Sequence, residues 1–360
     1  MKLLLASVGV LLLASTFTNL TVQAKGSVSL RANPPGTLQG IQSHAPAVRL
    51  GQTPVTTPAH PPLIHLAQFV RNKGVFLFYS FNPSSSIYWH NFSPSSIINQ
   101  AQAAGVKYLE IRLGYSNWLQ IEPGAQQSWL NHLLDLARSH GIRVIGWVVP
   151  YTDNASANTV QTTLNGDWQV INYLAHYKTP VGGRLSGLAM DLELGPLYFG
   201  GNTGALARYV QGVRSIVGPS YPLVSIVPDP ARTALTSQKG SSHYYPYNLV
   251  AAWSNVLQPM AYWHEYYASA QFDYTPSYVE EFVKESVTST QEQDANASKP
   301  INLALQFYGN PVVGYPSPSD LLTSLQSAKN AGSVGISCFQ WHTLSPEYWN
   351  VLSHFVWRGN

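Results

Sequence analysis

Residues 187–194 read Gly-Leu-Ala-Met-Asp-Leu-Glu-Leu, a short apolar run with two carboxylates near its end. Its length and composition suit a buried parallel strand, in which successive side chains point to opposite faces. One face then carries the leucines and the methionine, and the other carries Gly187, Ala189, Asp191 and Glu193. The run therefore predicts a strand with one apolar face and a second face that is small at its start and acidic at its end.

Seven further apolar runs accompany this one, separated by amphipathic helical patterns such as QSWLNHLLDLARSHG and SDLLTSLQSAKNAG, which end in the Gly expected just past a helix. Eight strands alternating with helices predict a single α/β domain, a (β/α)8 TIM barrel, over residues 66–360. A doubly wound sheet gives no reason for eight units, and no Gly-rich phosphate loop follows the first strand. The long stretch between the third and fourth strands predicts extra loop structure. The eight predicted strands begin at Gly74, Lys107, Arg143, Gly187, Pro222, Asn255, Ile301 and Val334.

The N-terminal segment has the pattern of an export signal. Lys2 precedes an apolar run over residues 3–13, and small and polar residues then lead to a cleavage site near residue 24. Residues 25–65 are rich in Pro, Gly, Ser and Thr and predict a linker. The apolar run is too short to span a bilayer, which takes about 20 residues, and no later segment predicts a span. We expect a signal peptide over residues 1–24 and a secreted protein.

The composition favours some partners over others. Charged residues make up 10% of the chain, the formal net charge is +3, and no run of Lys or Arg occurs, so nucleic acid is not an expected partner. The chain contains 10 Trp and 21 Tyr, many beside loop-forming residues, which suits the faces of sugars, although large barrels also bury many aromatic rings. The single thiol, Cys338, excludes an intramolecular disulfide and is expected in the core.

The two carboxylates of residues 187–194 are the strongest candidates for chemistry. Enzymes with this barrel place their active sites at the C-terminal ends of the strands, where Asp191 and Glu193 would emerge. Burying two carboxylates side by side raises the pKa of at least one of them and prepares a general acid. The structural alternative is that salt bridges to Arg112 or Arg184 hold both acids.

Other strands add inward-facing candidates for substrate binding. In the second strand, Glu110 and Arg112 form either a polar clamp beside the acids or a buried ion pair that satisfies itself. Trp341, at the end of the eighth strand, is either a stacking platform for a sugar ring or a plug of the barrel. The remaining candidates lie in the first and sixth strands and are Tyr79, Gln258, Met260 and Tyr262.

Several other polar residues do not form a recognisable site. No histidine pair has the spacing of a metal motif, and no Gly-x-Ser-x-Gly segment occurs, so we expect no metal and no cofactor. The histidines considered are His90, His243, His264 and His342. Three acids that follow strands could reach the site but are individually more typical of loop or capping residues; they are Asp153, Asp229 and Glu265.

The stretch Ser186-Gly187-Leu188-Ala189-Met190-Asp191-Leu192-Glu193 resembles the fourth-strand signature Asp-Gly-x-Asp-x-Asp-x-Glu of the chitinase-like glycoside hydrolases of family 18. The last Asp and the Glu are present, whereas Ser186 and Ala189 replace the first two Asp residues. The segments VSIVP and QPMAY, and Trp341 after the eighth strand, are also similar to the family. Together these segments cover most of the predicted barrel.

The resemblance implies roles for three residues. Glu193 would protonate the glycosidic oxygen, Asp191 would orient the acetamido group of the substrate as it attacks its own anomeric carbon, and Tyr262 would hydrogen-bond that group. The implied function is hydrolysis of a polysaccharide that contains N-acetylhexosamine, such as chitin or bacterial cell wall glycan. Two alternatives stay open: a glycosidase that uses two protein carboxylates, with Glu110 or another acid as partner of Glu193, and a barrel that binds carbohydrate without cleaving it.

Overall fold

The computed structural model of the chain describes residues 67–357, with gaps at 80–90, 122, 151–156, 195–197, 232–244, 265–275, 295–298 and 310–313. The predicted signal peptide and the predicted linker therefore lie outside the described residues. Within the described part of the chain, no helix is long and apolar enough to cross a membrane.

Eight parallel strands form a closed barrel, as predicted from the sequence. Each strand pairs with the next along the barrel, and β1 pairs with both β2 and β9, which closes the sheet. A short antiparallel strand, β3, pairs with the end of β2 and was not predicted. The strands are β1 (Asn72–Leu77), β2 (Tyr108–Tyr115), β3 (Trp118–Leu119), β4 (Arg143–Val149), β5 (Gly187–Asp191), β6 (Leu223–Val227), β7 (Val256–Ala261), β8 (Asn302–Gln306) and β9 (Gly335–Phe339).

Helices cover the outside of the barrel and contribute apolar faces to its core. The described residues contain eight α-helices. Serine side chains cap several of them; Ser317, for example, accepts from the backbone N–H of Asp320 while the Asp320 carboxylate accepts from the backbone N–H of Ser317. The helices are α1 (Pro94–Ala103), α2 (Ala125–Ser139), α3 (Ala157–His176), α4 (Thr203–Val217), α5 (Tyr247–Trp253), α6 (Pro276–Gln293), α7 (Pro318–Asn330) and α8 (Pro346–His354).

The structure differs from the sequence-based boundaries mainly at the ends of strands. Strand β5 ends at Asp191, three residues before the predicted end, and β9 ends at Phe339, so Trp341 lies in a 3-10 turn rather than in the strand. The stretch between β4 and β5, predicted to carry extra loop structure, contains the 20-residue helix α3 followed by a turn around residues 178–184.

The N-terminal end of the barrel is closed by two aromatic side chains. The Tyr108 ring fills the space beside Gly74, where a Cβ atom would lie 2.0 Å from the ring. Phe69, from a 3-10 turn that precedes β1, packs against Gly187, where a Cβ atom would lie 3.0 Å from its ring. Glycine at these two positions is required because the rings need the room that a side chain would take.

A buried polar network fills the layer above this closure. Oε1 of Glu110 accepts from Nε2 of Gln258 at 2.9 Å and from the Ser337 hydroxyl at 2.7 Å. Nε2 of Gln258 also donates to Asn302, whose Nδ2 donates to the Tyr108 hydroxyl. Since β2 and β7 are not neighbours in the sheet, the bond between Glu110 and Gln258 crosses the barrel interior, which confirms that both side chains point inward.

The pKa of Glu110 is raised from 4.5 to about 7, because burial penalises its charged form more than its hydrogen bonds to Gln258 and Ser337 favour it. A carboxyl with a raised pKa in the folded state stabilises the fold fully below its unfolded pKa, and that contribution is lost as the pH rises from about 4.5 to about 7.

We expect Glu110→Gln to reduce the loss of stability between acid and neutral pH, since an amide cannot ionise and still offers an acceptor. The free energy of unfolding is measured by urea denaturation at about pH 5 and about pH 8. The decrease between the two pH values should be smaller in the variant than in the wild type, by on the order of 2 kcal/mol. The matched control is Glu280→Gln at an exposed position of α6. Equal pH dependence in wild type and Glu110→Gln would contradict the assignment.

Candidate active site

Two carboxylates lie at the C-terminal end of β5, the fourth strand of the barrel. Asp191 is the last residue of the strand and Glu193 follows two residues later, and their side chains are only 2% and 9% exposed. Asp191 lies on the inward face, because Trp147, an inward residue of β4, is paired in register with Ala189, which precedes Asp191 on the same face. The barrel therefore brings Asp191 to its inner rim, as the alternation in the sequence predicted, and Glu193 lies beside it just beyond the end of the strand.

Burial sets the ionisation of the pair. Desolvation is the largest cause of the raised pKa of Glu193, which lies at about 7, and of the pKa of Asp191, which is well above its ordinary value. The charge of Glu193 raises the pKa of Asp191 further, whereas the Trp147 indole and the Arg112 guanidinium lower it. Two acids coupled in this way keep a proton between them near neutral pH.

Each acid presents an oxygen that no group of the described residues satisfies. Glu193 accepts a hydrogen bond from the Tyr198 hydroxyl, but its Oε1 is buried without a partner, and so is Oδ1 of Asp191. The Trp147 indole N–H lies near enough to Asp191 to lower its pKa, yet no hydrogen bond of standard geometry joins the two groups. Two buried carboxylate oxygens are therefore left without a donor among the described residues.

Arg112, near the end of β2, lies beside the acids. Its guanidinium carbon is 3.8 Å from the centroid of the Phe78 ring, and its Nε donates to Oε1 of Gln120 at 2.9 Å. Desolvation lowers the pKa of Arg112 to about 10, and the charge of Asp191 opposes that shift.

The predicted alternative of structural salt bridges is not supported. Within the described residues, no basic nitrogen of Arg112 or Arg184 lies within the 4.0 Å of an ion pair from Asp191 or Glu193. Arg184 is exposed, and its charge opposes the rise in pKa that burial causes at Tyr221.

Aromatic rings form the floor of the site. The Phe339 ring, at the end of β9, lies 5.3 Å from Phe76, 6.1 Å from Trp147, 5.6 Å from Tyr262 and 5.7 Å from Tyr308, centroid to centroid. Most of these contacts are edge-to-face or tilted, as aromatic side chains prefer. This cluster connects Tyr262, one of the predicted residues, to Trp147 and so to the acids.

The remaining predicted residues lie at two heights along the barrel axis, in the interior network and nearer the C-terminal rim. Glu110 and Gln258 are sealed in the interior network, and Glu110 binds Gln258 and Ser337 rather than Arg112. Met260 is buried on the inward face of β7, next above Gln258.

Tyr79 and Trp341 lie farther up the wall. Tyr79 is buried just beyond β1 and packs at 5.5 Å against the Trp129 ring. Trp341 is partly buried and packs edge-to-face at 4.8 Å against Trp349 of α8.

The other candidates from the sequence either make contacts typical of a structural role or lie outside the described residues. The carboxylate of Asp229 accepts from the Ala231 backbone N–H and from the Ser286 hydroxyl, both at 2.7 Å, in keeping with a capping role. Cys338 is a buried free thiol. No group of three or more potential metal ligands occurs among the residues that the structure describes. Outside those residues lie Asp153, Glu265, His90 and His243.

Sequence reasoning missed three residues of the site. Trp147 belongs to the apolar run RVIGWVV, in which a Trp is typical of core packing. Phe339 belongs to the apolar run VGISCFQW, in which a Phe is likewise typical of core packing. Tyr198 lies in a loop, where no periodicity assigns a direction to a side chain; the only available signal was its position five residues after Glu193.

Comparison with known proteins gives the fold a context. No family model and no curated protein sequence matches this chain. Solved structures do match it. The chain shares its fold with glycoside hydrolases. The spore cortex-lytic enzyme SleL from Bacillus cereus is 13% identical with a TM-score of 0.53, covering 79% of this chain and 75% of that enzyme.

Two further structures agree. A chitinase from Chromobacterium violaceum is 10% identical with a TM-score of 0.52, over 78% of this chain and 98% of the chitinase. The PgaB (BpsB) glycoside hydrolase domain from Bordetella bronchiseptica is 9% identical with a TM-score of 0.51, over 80% of this chain and 100% of that domain. These similarities confirm the barrel and, at the level of the fold, the resemblance to chitinase-like proteins.

We expect Tyr198→Phe to raise the pKa of Glu193, because the lost hydrogen bond favours the charged carboxylate. If Glu193 must be protonated to act, the alkaline limb of the pH–rate profile should move to higher pH. The measurement is kcat/KM across pH on a soluble glycan. Tyr247→Phe serves as the control, since it removes a hydroxyl that donates to the Pro228 carbonyl and not to an acid. An unmoved alkaline limb in Tyr198→Phe would show that this bond does not tune the acid.

Proposed function

We propose that this protein is a glycoside hydrolase that cleaves a polysaccharide containing N-acetylhexosamine, with Glu193 as the general acid and Asp191 as the group that orients the acetamido substituent. The observation that carries the proposal is the pair of buried carboxylates at the C-terminal rim, which raise each other's need for a proton and each have one oxygen without a partner among the described residues. Chemistry of this kind needs a proton held near neutral pH and an anion close to it.

The surroundings of Glu193 suit an acid. Its pKa of about 7 keeps the carboxyl protonated under mildly acidic conditions, and Tyr198 fixes its orientation through one oxygen. The other oxygen, Oε1, is then free to carry the proton towards the glycosidic oxygen. A general acid is most effective when its pKa lies close to the operating pH.

The surroundings of Asp191 suit the partner role. Burial and the charge of Glu193 raise the pKa of Asp191 well above its ordinary value, and Trp147 and Arg112 act against that rise by favouring the charged form. A charged Asp191 would accept the acetamido N–H and stabilise the positive charge that develops as the acetamido oxygen attacks the anomeric carbon. Tyr262, on the opposite side of the aromatic floor, would donate to the same group. Phe339 and Trp147 would contact the apolar face of the sugar.

The fold neighbours support the reaction class. The similar solved structures include a chitinase, a spore cortex-lytic enzyme and a glycoside hydrolase domain. The alternative with Glu110 as the second catalytic carboxylate is disfavoured, because Glu110 is in register, through Ile145, with Gly187 and so lies two inward positions below Asp191, and its Oε1 is bound by Gln258 and Ser337. The export pattern of residues 1–24 supports secretion, which mass spectrometry of the culture medium would test by finding a mature N-terminus near Lys25.

We expect Glu193→Gln to lower turnover by roughly 10² to 10⁴, since the amide keeps the shape of the side chain but cannot donate a transferable proton. Binding of the substrate should be retained. The measurement is the release of reducing ends from chitin oligosaccharides and from bacterial cell wall glycan, together with a binding titration. The matched control is Glu347→Gln, which removes a carboxylate that lies on the exposed start of α8.

Asp191→Asn tests the substrate-assisted mechanism. It should strongly slow cleavage of an acetylated oligosaccharide, and the deacetylated analogue should not be cleaved by the wild type at all. A thiazoline analogue of the cyclised intermediate should inhibit the wild type tightly. Equal cleavage of acetylated and deacetylated substrates would instead favour two protein carboxylates. A wild type that binds glycans and cleaves none would identify a carbohydrate-binding barrel.

A further inference from the structure

Arg112 is a basic side chain inside the open end of the barrel. It faces inward, because β2 pairs it in register with Trp147, whose ring packs in the interior at 5.3 Å from Phe76. Arg112 is nevertheless partly exposed to solvent. Since Phe69 and Tyr108 close the other end of the barrel, that exposed part must open on the mouth, where the two acids lie.

The guanidinium is held in one orientation. One face lies on the Phe78 ring, and Nε is tied to Gln120. Among the residues that the structure describes, Gln120 is the hydrogen-bond partner of Arg112, and neither Asp191 nor Glu193 is within ion-pair distance. The terminal nitrogens, Nη1 and Nη2, therefore form a fixed pair of donors that no acceptor among the described residues occupies.

This arrangement suits a planar anion better than a neutral group. Burial lowers the pKa of Arg112, and the nearby Tyr79 and Asp191 only oppose that shift, because neither forms an ion pair with the guanidinium. A carboxylate that accepts from both edge nitrogens would offset the cost of that burial, and such paired, charge-assisted hydrogen bonds are among the strongest in proteins. A hydroxyl or carbonyl oxygen would satisfy one donor and leave the charge uncompensated.

We propose that Arg112 binds a carboxylate of the substrate, so that the glycan contains N-acetylhexosamine residues of which some carry a carboxylate substituent such as a lactyl ether. This inference rests on the proposed function, because it places the carboxylated sugar beside Asp191 and Glu193. It selects an acidic glycan over a neutral one such as chitin.

The test separates binding from turnover. Binding of two soluble oligosaccharides to the mature Glu193→Gln protein is measured by calorimetry; one carries lactyl carboxylates, and in the other the same carboxylates have been converted to neutral amides. We expect the carboxylated ligand to bind about tenfold to a hundredfold more tightly, the range that charge-assisted hydrogen bonds supply. The kcat/KM of the otherwise wild-type protein should show the same preference.

Substitutions assign the preference to Arg112. Arg112→Gln should bring the ratio of the two affinities close to one, and Arg112→Lys should lower it, because an ammonium group keeps the charge but cannot form the paired contact. Gln120→Leu, which leaves the charge and releases Nε, should lower the ratio as well. Arg138→Gln, at an exposed contact with the Val181 carbonyl, is the control of equal charge.

The outcomes distinguish this inference from the proposed function. Equal affinity of the wild-type site for both ligands, or a preference that survives Arg112→Gln and Gln120→Leu unchanged, overturns the inference even if the protein hydrolyses glycans. A carboxylate preference that depends on Arg112 in a protein without turnover on any glycan upholds the inference and overturns the hydrolase. Should both Arg112 variants fail to fold, Gln120→Leu decides the assignment.

Discussion

Closure of the sheet between β1 and β9 is the constraint on which the rest of the structure depends. Once parallel strands close into a barrel, every second side chain must point into a shared interior, whether it is apolar or not. Glu110 and Gln258 meet for this reason, although 148 residues separate them in the chain. Closure also brings the C-terminal ends of all strands to one rim, so that neighbouring strands deliver Arg112, Trp147 and Asp191 to the same place.

The site at this rim is destabilising in itself. Oδ1 of Asp191 and Oε1 of Glu193 are buried without a partner among the described residues, and each such atom costs about 1 to 3 kcal/mol. A large apolar core around the barrel can offset costs of this size. The same desolvation raises the pKa of both acids, so the burial that destabilises the fold is also what holds a proton near neutral pH.

Alternation along the strands made much of this predictable from the sequence. A period of two fixes which side chains face inward, so the inward positions of Glu110 and Asp191 followed from pattern alone. Alternation does not predict side-chain directions beyond the end of a strand: Trp341 lies in a 3-10 turn and packs against Trp349. Alternation predicts no side-chain direction in loops either, so Tyr198 was not identified from the sequence. Partners across the barrel, such as Gln258 for Glu110, depend on closure and register, which no single strand encodes.

The departure from the resembled signature at Ala189 has a physical interpretation in this barrel. An Asp in place of Ala189 would add a third carboxylate one inward position below the coupled pair, in register with Trp147. With Ala at this position, the groups that favour the charged form of Asp191 are the Trp147 indole and the Arg112 guanidinium. A cation and an indole donor can stabilise an anion without taking up or releasing a proton themselves. The ionisation of Asp191 therefore depends on its burial and on Glu193, with non-titrating opposition from residues of β4 and β2, whereas a further acid on β5 would couple it to one more titrating group.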